Sequence, residues 1–195
     1  MNIALILLAA GLSTRFGDDK LTTPFRGRPL LLHAAGALQG RSLTARIAVT
    51  SPDRPERRDL LEGAGWTVID NTAAQAGQSS SLKLGVAHAK RIGADGVLVL
   101  LGDMPLVPDT HLSELIKSAQ AGAQAIMTEA NGVLTPPAFF TARLFDTLLA
   151  LEGDQGARHV FRDTPGRRTL ELDAPLTIDI DTPADLAAFM EAANG

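Results

Sequence analysis

Residues 3–21 read IALILLAAGLSTRFGDDKL. The first six are apolar at every position, which is the pattern of a strand covered by protein on both faces rather than on one. The run then ends in two alanines and a glycine, and Arg15 and Lys20 are set around Gly17. A buried strand that empties into a small-residue loop with two cations predicts an α/β protein. In open α/β sheets the crevice beyond the carboxyl ends of the strands is where ligands bind.

The rest of the chain repeats that rhythm. Short aliphatic runs at residues 45–50, 66–69 and 96–101 alternate with the helix-like segments PLLLHAAGAL, RPERRDLLEGA, SSLKLGVAHAKRI and DTHLSELIKSAQAG. Such alternation predicts β-α-β units around a mostly parallel sheet. Residues 3–8 and 97–101 are the choice for its central strands. Further on, AQAIMT, PAFFT, RTLEL and LTIDI read as strands, and RLFDTLLAL, GARHVFRD and PADLAAFMEAA as helices. With 195 residues and no linker, repeat or low-complexity tract, residues 1–195 are read as a single domain.

Apolar residues at 45% and charged residues at 21% exclude a disordered or fibrous chain. The formal net charge of −4 argues against a nucleic-acid surface, which needs a basic excess to displace counterions. Any cationic site must therefore be local. The absence of cysteine removes disulfides, thiolate metal sites and a thiol nucleophile, and fits a cytoplasmic location. No Lys or Arg precedes the first apolar run, which is short for a signal peptide, and no segment is long enough to span a bilayer.

Four places carry chemistry. In the loop after residues 3–8, glycines let backbone N–H groups approach a ligand, while Arg15 and Lys20 supply charge for a polyphosphate. The spacing is neither G-x-G-x-x-G nor a P-loop, so an exposed loop with incidental charges is the competing reading. Asp103 follows a buried strand directly and precedes a proline turn, a place suited to a Mg²⁺ ligand or to a turn residue. Asp179 and Asp181, two apart, share one side of an extended segment, but the following Thr182-Pro183-x-Asp185 is also a helix start, so either aspartate is metal ligand or cap. Ser79, Ser80 and Ser81 lie in the first turn of a helix, where an anion or ribose can sit, although N-capping explains one of them. His33, His88, His111 and His159 form no zinc pattern and read as packing or surface residues.

Taken together, LAAGLSTRFGDDKL, GRPLL, GQSSSL, LGDMPLV, GDQGARHVF and DIDTPADL resemble, in order, the motifs of MobA-like nucleotidyltransferases, in particular the molybdenum cofactor cytidylyltransferases. The resemblance implies a three-layer α/β/α sandwich of the Rossmann-like nucleotide-diphospho-sugar transferase type and a Mg²⁺-dependent reaction with an NTP. It implies that Gly11, Arg15 and Lys20 hold the triphosphate, with Leu8, Ala9, Ala10, Ser79, Ser80 and Gly102 also at the nucleotide. Asp103 and Asp181, with Asp179, would be the metal ligands. Ser81, Pro137 and Arg158 would lie on the acceptor side, Arg158 with a surface role as its alternative. LAAG resembles the cytidylyl branch, where the guanylyl branch has LAGG, and so favours CTP.

One departure concerns the acceptor. Relatives of the cytidylyl branch carry Gly-His-Pro where this chain has Thr135-Pro136-Pro137. The reaction implied is transfer of CMP from CTP to molybdopterin, for delivery to a molybdenum oxidoreductase. A different phosphorylated acceptor, such as a sugar phosphate, and a CTP-binding cofactor chaperone without turnover are the rivals.

Overall fold

The computed structural model describes residues 1–11, 16–152 and 156–192. In chain order the elements are β1 (Ile3–Leu8), β2 (Pro24–Phe25), β3 (Arg28–Pro29), α1 (Leu30–Ala35), β4 (Ala45–Thr50), α2 (Pro55–Gly63), β5 (Thr67–Asp70), α3 (Gln78–Arg91) and β6 (Gly96–Leu101). They continue with α4 (Asp109–Gln120), β7 (Ala125–Ala130), β8 (Val133–Thr141), α5 (Phe145–Leu149), α6 (Ala157–Asp163), β9 (Arg168–Glu171) and α7 (Pro183–Ala192).

Seven strands form one sheet in the order β5-β4-β1-β6-β8-β7-β9, with β8 alone antiparallel to its neighbours. All six residues of β1 are buried, and alternation along the strand sends them to two cores. Ile3, Leu5 and Leu7 pack on one face with Leu30 and Leu31 of α1, Leu61 of α2 and Leu112, Leu115 and Ile116 of α4. Ala4, Ile6 and Leu8 pack on the other with Leu82 and Val86 of α3, Phe145 and Leu148 of α5 and Val160 and Phe161 of α6. This is the three-layer α/β/α arrangement, and it explains why β1 and β6 read as unbroken aliphatic runs. Among the described residues no helix is long and apolar enough to cross a membrane.

Two close approaches set the layer spacing. A Cβ on Gly85 of α3 would lie 2.7 Å from Ile6, and one on Gly102 would lie 2.9 Å from Leu31. Glycine at 85 lets α3 approach β1, and glycine at 102 leaves room for Leu31 of α1 at the end of β6.

From β1 the chain moves outward to β4 and β5, then α3 carries it back across to β6 on the other side of β1. That reversal places the switch point of the sheet between the carboxyl ends of β1 and β6, which are in register from Ile3↔Gly96 to Leu8↔Leu101. The Gly102 N–H donates to the Leu8 carbonyl at 2.9 Å, so both strands release their loops side by side.

The predicted strand LTIDI does not form. Pro175 leads into a single 3-10 turn at Ala174–Leu176, and the chain that follows crosses the end of the sheet instead of pairing along it. One backbone bond, Ile180 N–H to the Asp103 carbonyl at 3.1 Å, ties it down over β6.

Candidate active site

That crossing brings three carboxylates together. One oxygen each from Asp103, Asp179 and Asp181 lie within 4.8 Å of one another, although Asp103 is 76 or more positions away in sequence. The capping bonds of α7 come from other residues. The Asp185 carboxylate accepts the N–H groups of Asp181 (3.1 Å) and Thr182 (2.7 Å), while the Thr182 hydroxyl accepts the N–H of Asp185 at 3.2 Å. This reciprocal cap fixes the backbone at Asp181 and leaves capping to Thr182 and Asp185.

Lys20 reaches into the cluster. Its Nζ donates to Asp103 Oδ2 at 2.8 Å and to Asp181 Oδ1 at 2.7 Å, with the lysine side chain only 9% exposed. Burial works against the ammonium charge, but Asp103 and Asp181 together outweigh it and hold the Lys20 pKa above the ordinary lysine value. The Asp179 carboxyl is pushed up, first by loss of hydration among neighbouring protein atoms although the residue reaches solvent at its rim, and also by the charges of Asp103 and Asp181. Oxygen-only donors in this number are the chemistry of Mg²⁺ or another hard cation. A protein cation already seated on two of them shows that the position favours positive charge.

The chain that carries Lys20 is anchored from below by residues the sequence did not single out. Arg57, in the first half of α2, has no exposed surface. Its Nε donates to both oxygens of Asp19 (3.0 and 2.8 Å), its Nη2 to Asp19 Oδ1 at 2.7 Å, and its Nη1 to the carbonyls of Ala9 (2.6 Å) and Gly11 (2.8 Å). In the sequence Arg57 is one of two adjacent arginines on an amphipathic helix, and nothing in that pattern distinguishes the buried one from its neighbour.

Asn71 is the second omission. Also buried, it donates to the hydroxyls of Ser80 (2.8 Å) and Ser81 (2.9 Å) and accepts the Ala73 N–H at 2.9 Å. Ser80 in turn donates to the carbonyls of Ala73 and Gly77. The serine-rich first turn of α3 is thus braced against the end of β5.

The remaining predicted residues fall around this centre in different ways. Leu8, Ala9 and Ala10 are buried, and the exposed surface of that run begins at Gly11. Leu8 and Ser79 line a narrow cleft with Pro136, Gly156 and Ala157, which joins the amino ends of α3 and α6. Pro137 sits beyond a cis bond from Pro136 and borders Met104 and Leu100. Arg158 is exposed on α6. Arg15 lies outside the described residues. His111 and His33 are packing residues: His111 is buried against the Thr128 hydroxyl at 2.9 Å, and His33 bonds the Phe25 carbonyl at 2.7 Å.

Known proteins resemble the chain along most of its length. The profile of the MobA-like NTP transferase domain matches residues 5–170. The chain is 31% identical over 196 residues to the purine catabolism protein PucB of Bacillus subtilis, covering 92% of each. It is 29% identical over 141 residues to a probable molybdenum cofactor guanylyltransferase of Pyrococcus horikoshii, covering 70% of this chain and 67% of that one. The crystal structure of Rv0371c from Mycobacterium tuberculosis superimposes with a TM-score of 0.82 at 24% identity, covering 98% of this chain and 99% of that one.

Proposed function

The chain belongs to the MobA-like NTP transferase family, whose enzymes transfer nucleotides, and from that premise we propose that it transfers CMP from CTP to a molybdopterin-type acceptor, with Mg²⁺ and release of pyrophosphate, in the cytoplasm. The product would pass to a molybdenum oxidoreductase. The observation that carries the reading is the meeting of Asp103, Asp179, Asp181 and Lys20 at the switch point of the sheet.

In the reaction a phosphate oxygen of the acceptor attacks the α-phosphorus of CTP. The bond from that phosphorus to the oxygen bridging to the β-phosphate breaks, and pyrophosphate leaves with the bonding pair. A phosphate monoester has a second pKa of about 6 and is largely dianionic at neutral pH, so no general base is needed. The barrier comes from bringing anions together and from charge building on the leaving group, which preorganised positive charge lowers.

The residues present fit a divalent metal, with Asp103 and Asp181 as ligands and Asp179 beside them. When bound, Mg²⁺ would supply a hard positive charge that offsets the charge of the phosphates. Lys20 exchanges its carboxylate partners for phosphate oxygens, and together with Arg15 neutralises the β- and γ-phosphates. On this reading Gly11 borders the nucleotide, with Gly102 and the amino end of α3 at Ser79 and Ser80 on the same end of the sheet, and Leu8, Ala9 and Ala10 form the floor beneath it. Of the three residues read on the acceptor side, Ser81 is held by Asn71 and Pro137 is buried beside Leu100 and Met104, while Arg158 is exposed on α6 and is the side chain we assign to the acceptor.

CTP is favoured over GTP by LAAG in place of LAGG. Thr135-Pro136 stands where cytidylyl relatives carry Gly-His, and this observation favours a second reading in which the acceptor is a sugar phosphate. Pyrophosphate release from CTP, GTP, ATP and UTP, each with molybdenum-loaded molybdopterin or with a panel of sugar phosphates, separates the two. Release only from CTP with the loaded pterin supports the proposal; release only with a sugar phosphate replaces the acceptor, and none with any pair removes the reaction.

A further inference from the structure

Arg57 makes a set of contacts that packing alone does not require. Its guanidinium is fully buried and joins two separate stretches of chain: the carbonyls of Ala9 and Gly11 on one side, and the carboxylate of Asp19 on the other. Asp19 passes the constraint on. Its Oδ1 accepts the Leu21 N–H at 3.0 Å, and its carbonyl accepts the hydroxyls of Thr22 and Thr23 at 3.1 Å each. The residue held between Asp19 and Leu21 is Lys20, whose Nζ reaches Asp103 and Asp181.

A buried arginine–carboxylate pair is weak grounds for a stability role, because apolar residues of similar volume often stabilise as well or better. What an apolar pair does not supply is direction. A planar fork with five donors fixes the orientation of several acceptors at once, which neither a point charge nor a hydrocarbon does. Here the fork turns the Ala9 and Gly11 carbonyls toward α2. In a trans peptide the N–H of the next residue points opposite to the carbonyl, so the Ala10 N–H is directed away from Arg57.

We propose that Arg57, acting through Asp19, is a positioning residue that holds both shoulders of the residue 9–20 segment and aims Lys20 at the nucleotide phosphates. The inference rests on the nucleotidyl-transfer reading for its consequence in turnover, but the clasp itself is testable without it. Arg57 touches no substrate in this scheme.

The test compares wild type with Arg57→Met, Arg57→Lys and Asp19→Asn, all at a temperature well below each variant's unfolding midpoint. Amide hydrogen exchange in fragments containing Leu21 should rise at least tenfold in Arg57→Met, with fragments covering residues 96–101 unchanged. The KM for CTP should rise at least tenfold, with a smaller fall in kcat, and Arg57→Lys should not rescue it, because an ammonium cannot span the Asp19 and carbonyl acceptors in one plane. Asp19→Asn keeps the side-chain shape and should move both readouts the same way by a smaller factor; it decides the matter if Arg57→Met does not fold. Wild-type exchange at Leu21 and wild-type KM in a folded variant overturn the proposal. If wild type itself neither binds nor turns over CTP, the reaction reading fails, and the exchange result still decides the clasp.

Discussion

Replacing Lys20 by methionine should tighten binding of Mn²⁺ to the protein without nucleotide. The ammonium of Lys20 sits 2.8 Å from Asp103 and 2.7 Å from Asp181, on carboxylates that a divalent ion also needs. A metal entering the free protein must displace it. Asp103 and Asp181 side chains are 21% and 33% exposed, so solvent screens each contact, and about 1 kcal/mol apiece is a reasonable scale between exposed and buried pairs. Two such contacts amount to about 2 kcal/mol, or roughly a 30-fold change in affinity. Methionine approximates the length of the lysine stem and removes the charge. Titration of Mn²⁺ followed by electron paramagnetic resonance should therefore give a dissociation constant roughly 30-fold lower for Lys20→Met than for wild type. With CTP present the order should reverse, since Lys20 then helps hold the triphosphate that the metal shares. Equal affinities with and without the lysine, or weaker metal binding in Lys20→Met without nucleotide, would refute the competition.

Other outcomes follow from particular contacts. Gly85→Ala places a methyl 2.7 Å from Ile6 and should destabilise the protein by about 1–3 kcal/mol in urea unfolding; an unchanged midpoint would show that α3 can retreat freely from β1. Thr182→Ala removes one half of the α7 cap, should cost about 1 kcal/mol of stability, and should weaken Mn²⁺ binding through the loosened Asp181 backbone; wild-type values for both would separate the cap from the site. His111 donates from Nε2 to a Thr128 hydroxyl whose own proton goes to the Pro137 carbonyl, and loss of hydration lowers its pKa. The unfolded chain therefore binds a proton from about pH 6.5 downward before the folded one does, so stability present above that pH is lost as pH falls toward the lowered value. His111→Gln should flatten this part of the stability profile, and an unaltered slope between pH 7 and 5 would refute the assignment.

Much of this molecule was legible because its physics is local. Residues 3–8 and 96–101 are aliphatic throughout because both faces of β1 and β6 are covered, and that pattern is visible in one dimension. The position of Asp103 directly behind such a strand places it at the end of the sheet from sequence alone. What was not legible depends on contacts between distant segments. LTIDI has strand-like composition, but the 3-10 turn at Ala174–Leu176 redirects the chain after β9, and its aspartates reach the site from the irregular segment that follows. The direction of β8 is absent from side-chain alternation, which reads the same forward and backward. Arg57 and Arg58 are adjacent and alike in sequence, yet one is sealed against Asp19 while the other lies at the surface with Glu62 and Asp70. Asn71 carries no signal of its own in the sequence, because its partners, Ser80 and Ser81, lie nine and ten positions further on, in the first turn of α3.

The most direct measurement supplies CTP radiolabelled at its α-phosphorus, Mg²⁺ and molybdenum-loaded molybdopterin to wild type and to Asp103→Asn. Loss of one such transition-state contact at about 3 kcal/mol corresponds to roughly a hundredfold in rate. Label should move from CTP to the pterin in wild type, and at least a hundredfold more slowly in a normally folded Asp103→Asn; equal transfer by both proteins, or label that never leaves CTP in wild type, would contradict a metal-assisted nucleotidyl transfer at Asp103.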